Sequence, residues 1–344
     1  MNFKTGSFIS VGNRGLNPTN SLARTRRVEN PLWNFTLPYT FQGTVAGYTS
    51  GGKFSPVGQG EASNVIDKFP FATNANATDV GDLTAIPNTP AGGNGRRNVA
   101  GQSSTVSGYT SGGYNPSAGS PTTTNVIDKF PFATNANATD VGDLTLGRFG
   151  VAGQSSGTSG YTSGGGNVID KFPFATNANA TDVGDLTAPR GGVTGQSSTV
   201  SGYTSGDTNV IDKFPFASDA NATDVGDMTT SRSYSAGQSS STHGYVSAGA
   251  PGPITGGIID KFPFATDSNA TNIGYLTSGG GYYGTGFPGV AGQSSETHGY
   301  SSGGNIFVQS LRNIIDRFSF ASDGNATDVG DLTQARAWAA GQQD

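Results

Sequence analysis

Six near-verbatim copies of one phrase, a shortest period of 42 residues, and a C-terminal tail that imitates the opening of a unit predict an all-β ring. The expected fold is a six-bladed β-propeller closed by its own C-terminal strand, preceded by an extended N-terminal arm. The phrase NVIDKFPFATNANATDVGDLT begins at Asn64, Asn125 and Asn167, with looser copies from Asn209, Gly257 and Asn313. Its Ile66 recurs as Ile127, Ile169, Ile211, Ile259 and Ile315, at spacings of 61, 42, 42, 48 and 56 residues. A 42-residue unit suits a four-stranded blade, and the extra residues fall in Gly/Pro-rich stretches where loops belong.

Each unit writes its strands in a fixed order. The first word is AGQSS or close to it: Ala100–Ser104, Ala152–Ser156, Thr194–Ser198, Ala236–Ser240 and Ala291–Ser295. Nearly all its residues are small, as the crowded innermost strand around a propeller axis requires. The second word, GYTSGG, starts at Gly108 and Gly160 and, altered, at Gly202, Gly244 and Gly299. It sets one aromatic among small residues, and its glycines permit a tight exit. The third, NVIDKFPFA, carries β-branched and aromatic residues with partial alternation: Val65, Asp67, Phe69 and Phe71 on one side, Ile66 and Lys68 on the other. Pro70 cannot donate to a ladder, so this strand is expected in the outer part of a blade or bulged. ATNANATD is a turn, since Asn tolerates left-handed backbone and caps its own chain, and DVGDLT is the fourth strand. No helical period exists, and the rival fold is a β-solenoid, whose coils are usually shorter than this unit.

Ring closure is written at the C-terminus. The last copy ends at Thr333, and QARAWAAGQQD follows, with Arg336 where Arg148, Arg190 and Arg232 stand and Gly341–Gln342 where GQ stands. The first copy has no such word before Gly47, so the tail supplies its missing inner strand, and a ring sealed this way leaves no free sheet edge.

Composition narrows the function classes. Gly supplies 54 of 344 residues, yet 20 Phe and 12 Tyr argue for a repeatedly buried surface rather than disorder. Without cysteine there is no disulfide or thiolate chemistry. MNFKTGSFIS lacks the apolar run of a secretory signal and no segment approaches a membrane span, so a soluble chain without membrane insertion is expected. Up to Phe41 there are five basic residues (Lys4, Arg14, Arg24, Arg26, Arg27) against one acid, Glu29; with −5 overall, the remainder carries −5 − 4 = −9. An acidic body is a poor nucleic-acid binder.

The order of small-residue strand, aromatic plus diglycine, strand, turn, strand and Arg resembles a kelch-type β-propeller over residues 43–344. Gly112–Gly113, Gly164–Gly165 and Gly303–Gly304 match that family's paired glycines. The family's fourth-strand Trp is absent here, its place taken by DVGDL. IDKFPFA…NATDVGDLT is also similar to kelch-like repeat proteins of marine bacteriophages, which are taken to be virion structural proteins. That resemblance implies a virion location, partners among other virion proteins, and a place in a larger symmetric assembly.

Catalysis is not expected. Copper oxidases built on kelch-type propellers need a cross-linked Cys, and this chain has none. His243 and His298 stand in equivalent THGY words one unit apart, which suits surface or loop positions better than one metal. No cofactor is expected; calcium is the candidate, with Asn74, Asn76, Thr78, Asp79 and Asp82 offering oxygens along TNANATDVGD. No bidentate Glu ends that loop, and the fifth copy has Asn272 and Tyr275 where Asp79 and Asp82 stand, so a capped turn is the plainer reading. The N-x-T sequons of all six copies read as turns, since no secretory route is expected. The Asp of IDK and the Arg that opens a unit suit ion pairs between strands or blades. Gln102, Gln154, Gln196, Gln238, Gln293 and Gln342 are expected near the axis, bonding neighbouring inner strands or ringing waters or an ion.

Two regions break the repeat. Tyr114, Tyr282, Tyr283, Phe287 and Phe307 sit in insertions and are candidate ligand-contact residues for a host-surface glycan or protein. Residues 1–42 are Pro/Asn/Arg-rich and aperiodic, with Arg24, Arg26, Arg27, Trp33 and Phe35 as candidate anchors of an arm ordered on a neighbouring subunit. The reading is a non-enzymatic virion protein of tail or capsid, used for assembly, decoration or host adsorption. Its rival is a cellular or secreted carbohydrate- or protein-binding propeller.

Overall fold

Each blade is a four-stranded antiparallel sheet running outward from the axis, and the computed structural model contains six of them. It describes residues 41–54, 62–86, 95–116, 122–250, 257–277, 288–306 and 310–344. Blade one joins Ala340–Gln343 to Ala46–Ser50, Val65–Pro70 and Thr78–Asp82. Blade two is Ala100–Ser103, Ser107–Ser111, Val126–Pro131 and Thr139–Asp143. Blade three is Val151–Ser155, Ser159–Gly164, Gly166–Pro173 and Thr181–Arg190; blade four is Thr194–Ser197, Ser201–Ser205, Val210–Pro215 and Thr223–Asp227. Blade five is Ala236–Ser239, His243–Ser247, Ile258–Pro263 and Thr271–Tyr275. Blade six is Val290–Ser294, His298–Gly303, Ile314–Ser319 and Thr327–Asp331, with a short hairpin of Asn305–Ile306 and Ser310–Leu311 between its second and third strands. The C-terminal tail closes blade one as expected, pairing Gln342 with Tyr48. The arm before Phe41 lies outside the described residues.

Small inner residues are a steric necessity. A Cβ on Gly101, Gly153, Gly195, Gly237, Gly292 or Gly341 would strike the carbonyl of the next of these glycines around the ring. Outward, the blades interlock through aromatic rings. Tyr48 of the second strand stacks on Phe132 of the next blade at 4.9 Å, and the contact repeats until Tyr300 meets Phe71 at 4.8 Å. Such pairs add roughly 0.5–1.5 kcal/mol each beyond their burial.

The third strand corrects the two-sided alternation expected for it. Ile66 and Asp67 are adjacent and both fully buried. A bulge between them against the fourth strand shifts the register from Ile66↔Gly81 to Asp67↔Asp79. Both faces of a blade also pack on neighbouring blades, so both faces are core. Pro70 is the strand's last residue, in the third of four positions, where its missing N–H costs the ladder least.

Buried charge rivets the blades. Asp67, Asp128, Asp170, Asp212 and Asp260 pair with Arg336, Arg96, Arg148, Arg190 and Arg232, each of which precedes the inner strand of that Asp's blade. Four of the distances run from 2.6 Å for Arg336 to 3.0 Å for Arg232. The same carboxylates accept the N–H and hydroxyl of a Thr ending the preceding blade, as Thr84 does on Asp128 at 2.9 and 2.6 Å. Arg96, which opens blade two, is the member that the sequence reading omitted. The glutamines bind blade to blade: Gln102 Nε2 donates to the Tyr161 carbonyl and Thr162 hydroxyl of blade three.

Candidate functional site

At the end of the inner strands bearing the long loops, the connections between blades form a second ring. Asn98, Gly150, Gly192, Tyr234, Gly289 and Trp338 occupy equivalent positions and all have left-handed backbone, with φ between 57° and 80°. Their peptides bond head to tail around the axis. Asn98 N–H donates to Trp338 C=O at 2.8 Å, Trp338 to Gly289 at 2.6 Å, and Gly289 to Tyr234 at 2.7 Å. The circle is completed by Tyr234 to Gly192 at 2.6 Å, Gly192 to Gly150 at 2.8 Å and Gly150 to Asn98 at 2.9 Å. Below it the axial channel opens into a cavity of about 80 Å³ lined by Phe41 and the inner strands.

Three of these six positions are glycine, the residue that adopts φ > 0 without penalty. Tyr234 and Trp338 hold bulky side chains on the same strained backbone, an outlier for residues of that size. Their half-buried rings meet edge to face at 6.5 Å across the position of Gly289. Around Trp338 stand Lys53, with Nζ 5.7 Å from the ring centre, and Arg97 at 6.0 Å. Arg97 also lies 5.2 Å over Tyr114, and Tyr114 packs on Phe149 at 5.4 Å. Phe149 is 43% exposed. Burial pulls the Arg97 guanidinium below its usual range, opposed by the phenols of Tyr114 and Tyr234. Lys53 is pulled down first by burial and then by the charge of Arg97. No carboxylate among the described residues pairs with either cation.

A groove of about 560 Å³ continues from this mouth over blades three and four, lined by Leu146, Phe149, Pro189, Tyr234 and Asp207 among others. The Asp207 carboxylate accepts the Gly191 N–H at 3.2 Å and the Ser233 hydroxyl at 3.4 Å. The platform is thus aromatic and cationic on one side and apolar along its extension. Such a surface is chemically suited to stacking and charge contacts.

The expected site residues distribute unevenly. Tyr114 falls in the cluster. Tyr282, Tyr283, Phe287, Phe307, Arg24, Arg26, Arg27, Trp33 and Phe35 lie outside the described residues. Asn74 accepts from Arg317 at 2.9 Å, and Asn76 accepts the Asp331 N–H of blade six at 3.1 Å. Asp79 caps the Gly81 N–H at 3.1 Å, and the Asp82 N–H donates to Asn137 of blade two at 3.0 Å. The Asn-rich turn is therefore an inter-blade clasp. No group of three or more His, Cys, Asp or Glu among the described residues gathers as metal ligands. The histidines are not loop residues: His243 and His298 begin the second strands of blades five and six, half-buried, each with Nδ1 2.8 Å from the preceding Thr hydroxyl. Burial lowers both imidazoles below their ordinary value.

Lys53, Arg97, Phe149, Tyr234 and Trp338 were missed. The signal for two of them was readable, because aligning units on their Arg puts Tyr234 and Trp338 in the register of Gly150 and Gly192. The rest needed the ring geometry.

No family model matches the chain, and no curated protein matches it. Among solved structures, one titled "Structure of YjhT" is similar with a TM-score of 0.58 and 12% identity, covering 74% of this chain and 88% of that one. That neighbour is a propeller, and at this identity the likeness speaks for the fold alone.

Proposed function

We propose that this chain is a non-enzymatic, kelch-like binding propeller that serves as a phage virion structural protein, in assembly, decoration or adsorption to a host surface. One observation carries the binding reading: the aromatic and cationic cluster of Lys53, Arg97, Tyr114, Tyr234 and Trp338 at the loop end of the axis. The placement of Phe41–Gly43 supports it. Gly43 N–H donates to the Ser294 carbonyl at 2.8 Å and Gln42 Nε2 to the Ser239 carbonyl at 2.9 Å, both at the opposite, tight-turn end of the inner strands. Gln42 and Gly43 are thus held at the end of the inner strands away from the mouth. The virion reading rests on the phage-like phrase and its near-verbatim repetition.

A cellular or secreted carbohydrate- or protein-binding propeller is the second reading, favoured by the same cluster. Peptide mass spectrometry of gradient-purified virus particles separates the two. Peptides of this chain at a fixed ratio to a major capsid protein, including some from before Phe41, support the virion reading. Peptides that stay with cells or supernatant leave the second.

A further inference from the structure

We infer that the axial mouth receives an anionic sugar, a pyranose bearing a carboxylate or a sulfate, with its charge on Arg97 and Lys53 and its ring on Trp338 and Tyr234. This deepens the binding reading above and rests on it.

Charge supplies the first argument. Lys53 and Arg97 flank one Trp ring, close enough to disfavour each other's charge, and neither has a carboxylate partner among the described residues. Three partly buried lysines elsewhere, Lys171, Lys213 and Lys261, meet carboxylates of the next blade at 2.9–3.0 Å, whereas Lys68 and Lys129 stand singly over Tyr rings. Among the described lysines, only Lys53 shares its ring with a second cation. Two like charges held together at a partly buried site repel each other until an anion arrives, and then both attract it. Asp207, the carboxylate lining the adjoining groove, is held by Gly191 and Ser233.

Shape supplies the second. Trp338, Tyr234 and Tyr114 put three half-buried rings around the cations, each an apolar face with a polar edge. A pyranose has the complementary build, with one face of C–H groups to stack and a rim of hydroxyls to stay wet. The groove along Leu146 and Phe149 gives space for further sugar residues.

Strain supplies the third. Tyr234 and Trp338 stand at φ 57° and 60°, where Gly150, Gly192 and Gly289 meet the same backbone requirement without penalty. A fold selecting for stability alone would place glycine at all six positions. Strained bulky residues are retained where their side chains serve a ligand.

Isothermal titration of the full chain tests this, with a uronate oligosaccharide, a sulfated oligosaccharide of the same backbone, and their neutral parent. Binding of at least one anionic probe is expected, weakening as salt rises, with the neutral parent roughly tenfold or more weaker. The two anionic arms tell carboxylate from sulfate. Trp338→Gly and Tyr234→Gly should melt at or above the wild-type temperature yet lose roughly tenfold in affinity. Arg97→Gln should weaken the salt dependence, leaving the part that Lys53 supplies. Equal, salt-insensitive binding of the neutral parent that still depends on Trp338 overturns the anionic class and leaves the mouth as a binding site. No binding of any probe, or unchanged binding by the glycine variants, overturns the inference and removes the support that the mouth gives the binding reading. A Trp338→Gly variant melting well below wild type would make Trp338 structural and overturn the strain argument.

Discussion

Blade six and the other five solve the same seam differently. In blades one to five a buried Asp accepts a Thr from the preceding blade and is neutralised by the Arg that precedes its blade's inner strand. In blade six, Asp316 accepts the Thr277 hydroxyl at 2.5 Å, is 1% exposed, and has no ion-pair partner among the described residues. By register from Gly289, the Arg position there is Phe287 in the sequence. Burial pushes Asp316 up to about 6, with the Thr277 bonds opposing. The comparison separates two jobs that the repeats otherwise fuse. The Thr–Asp contact joins blades, whereas the Arg makes the buried carboxylate affordable at neutral pH.

The largest test removes both closure devices at once. Truncation after Thr333 deletes the inner strand of blade one and Arg336, leaving Asp67 uncompensated and the edge of Ala46–Ser50 open. Loss of a cooperative melt, with self-association in sedimentation, is expected. A monomer that melts as before would refute closure by the tail.

Asp170→Ala comes next, since it strands Arg148 in a buried site. A loss of about 3–5 kcal/mol in denaturant melts is expected. A loss near zero would mean that the rivet contributes nothing.

Asp316→Asn should act with the opposite sign. The folded value lies above the ordinary 3.8, so this group's contribution to stability is fully present below about 3.8 and is lost as pH rises through about 6. The variant should match wild type in acid and exceed it at pH 7.5 by on the order of 2 kcal/mol. If the gap between the two melting curves stays constant from pH 4 to 7.5, the charge of Asp316 is not what distinguishes blade six.

The smallest effect belongs to the exposed pairs. Lys213 meets Asp267 at 3.0 Å with the carboxylate 60% exposed, so Lys213→Met should cost about 0–1 kcal/mol and less in high salt. A larger cost would place buried and exposed ion pairs on one scale and blunt the contrast.

Strand identity, blade number and ring closure were legible in the chain because each repeat rewrites the same local chemistry. Small residues line the axis, an aromatic word interlocks blades, an Asn turn clasps them, and the tail visibly carries the missing GQ word. The bulge at Ile66–Asp67 was not legible, since two adjacent buried residues have no periodic signature when both faces of a strand are core. Nor was the mouth. Lys53, Arg97, Tyr114, Tyr234 and Trp338 come from three different blades and lie up to 285 residues apart (338 − 53). By itself the sequence determined a ring of six equal blades, because repetition and period are local properties that one chain can state outright. Tertiary structure alone decided which irregular side chains meet, because closing the ring makes neighbours of residues whose separation along the chain carries no trace of that contact.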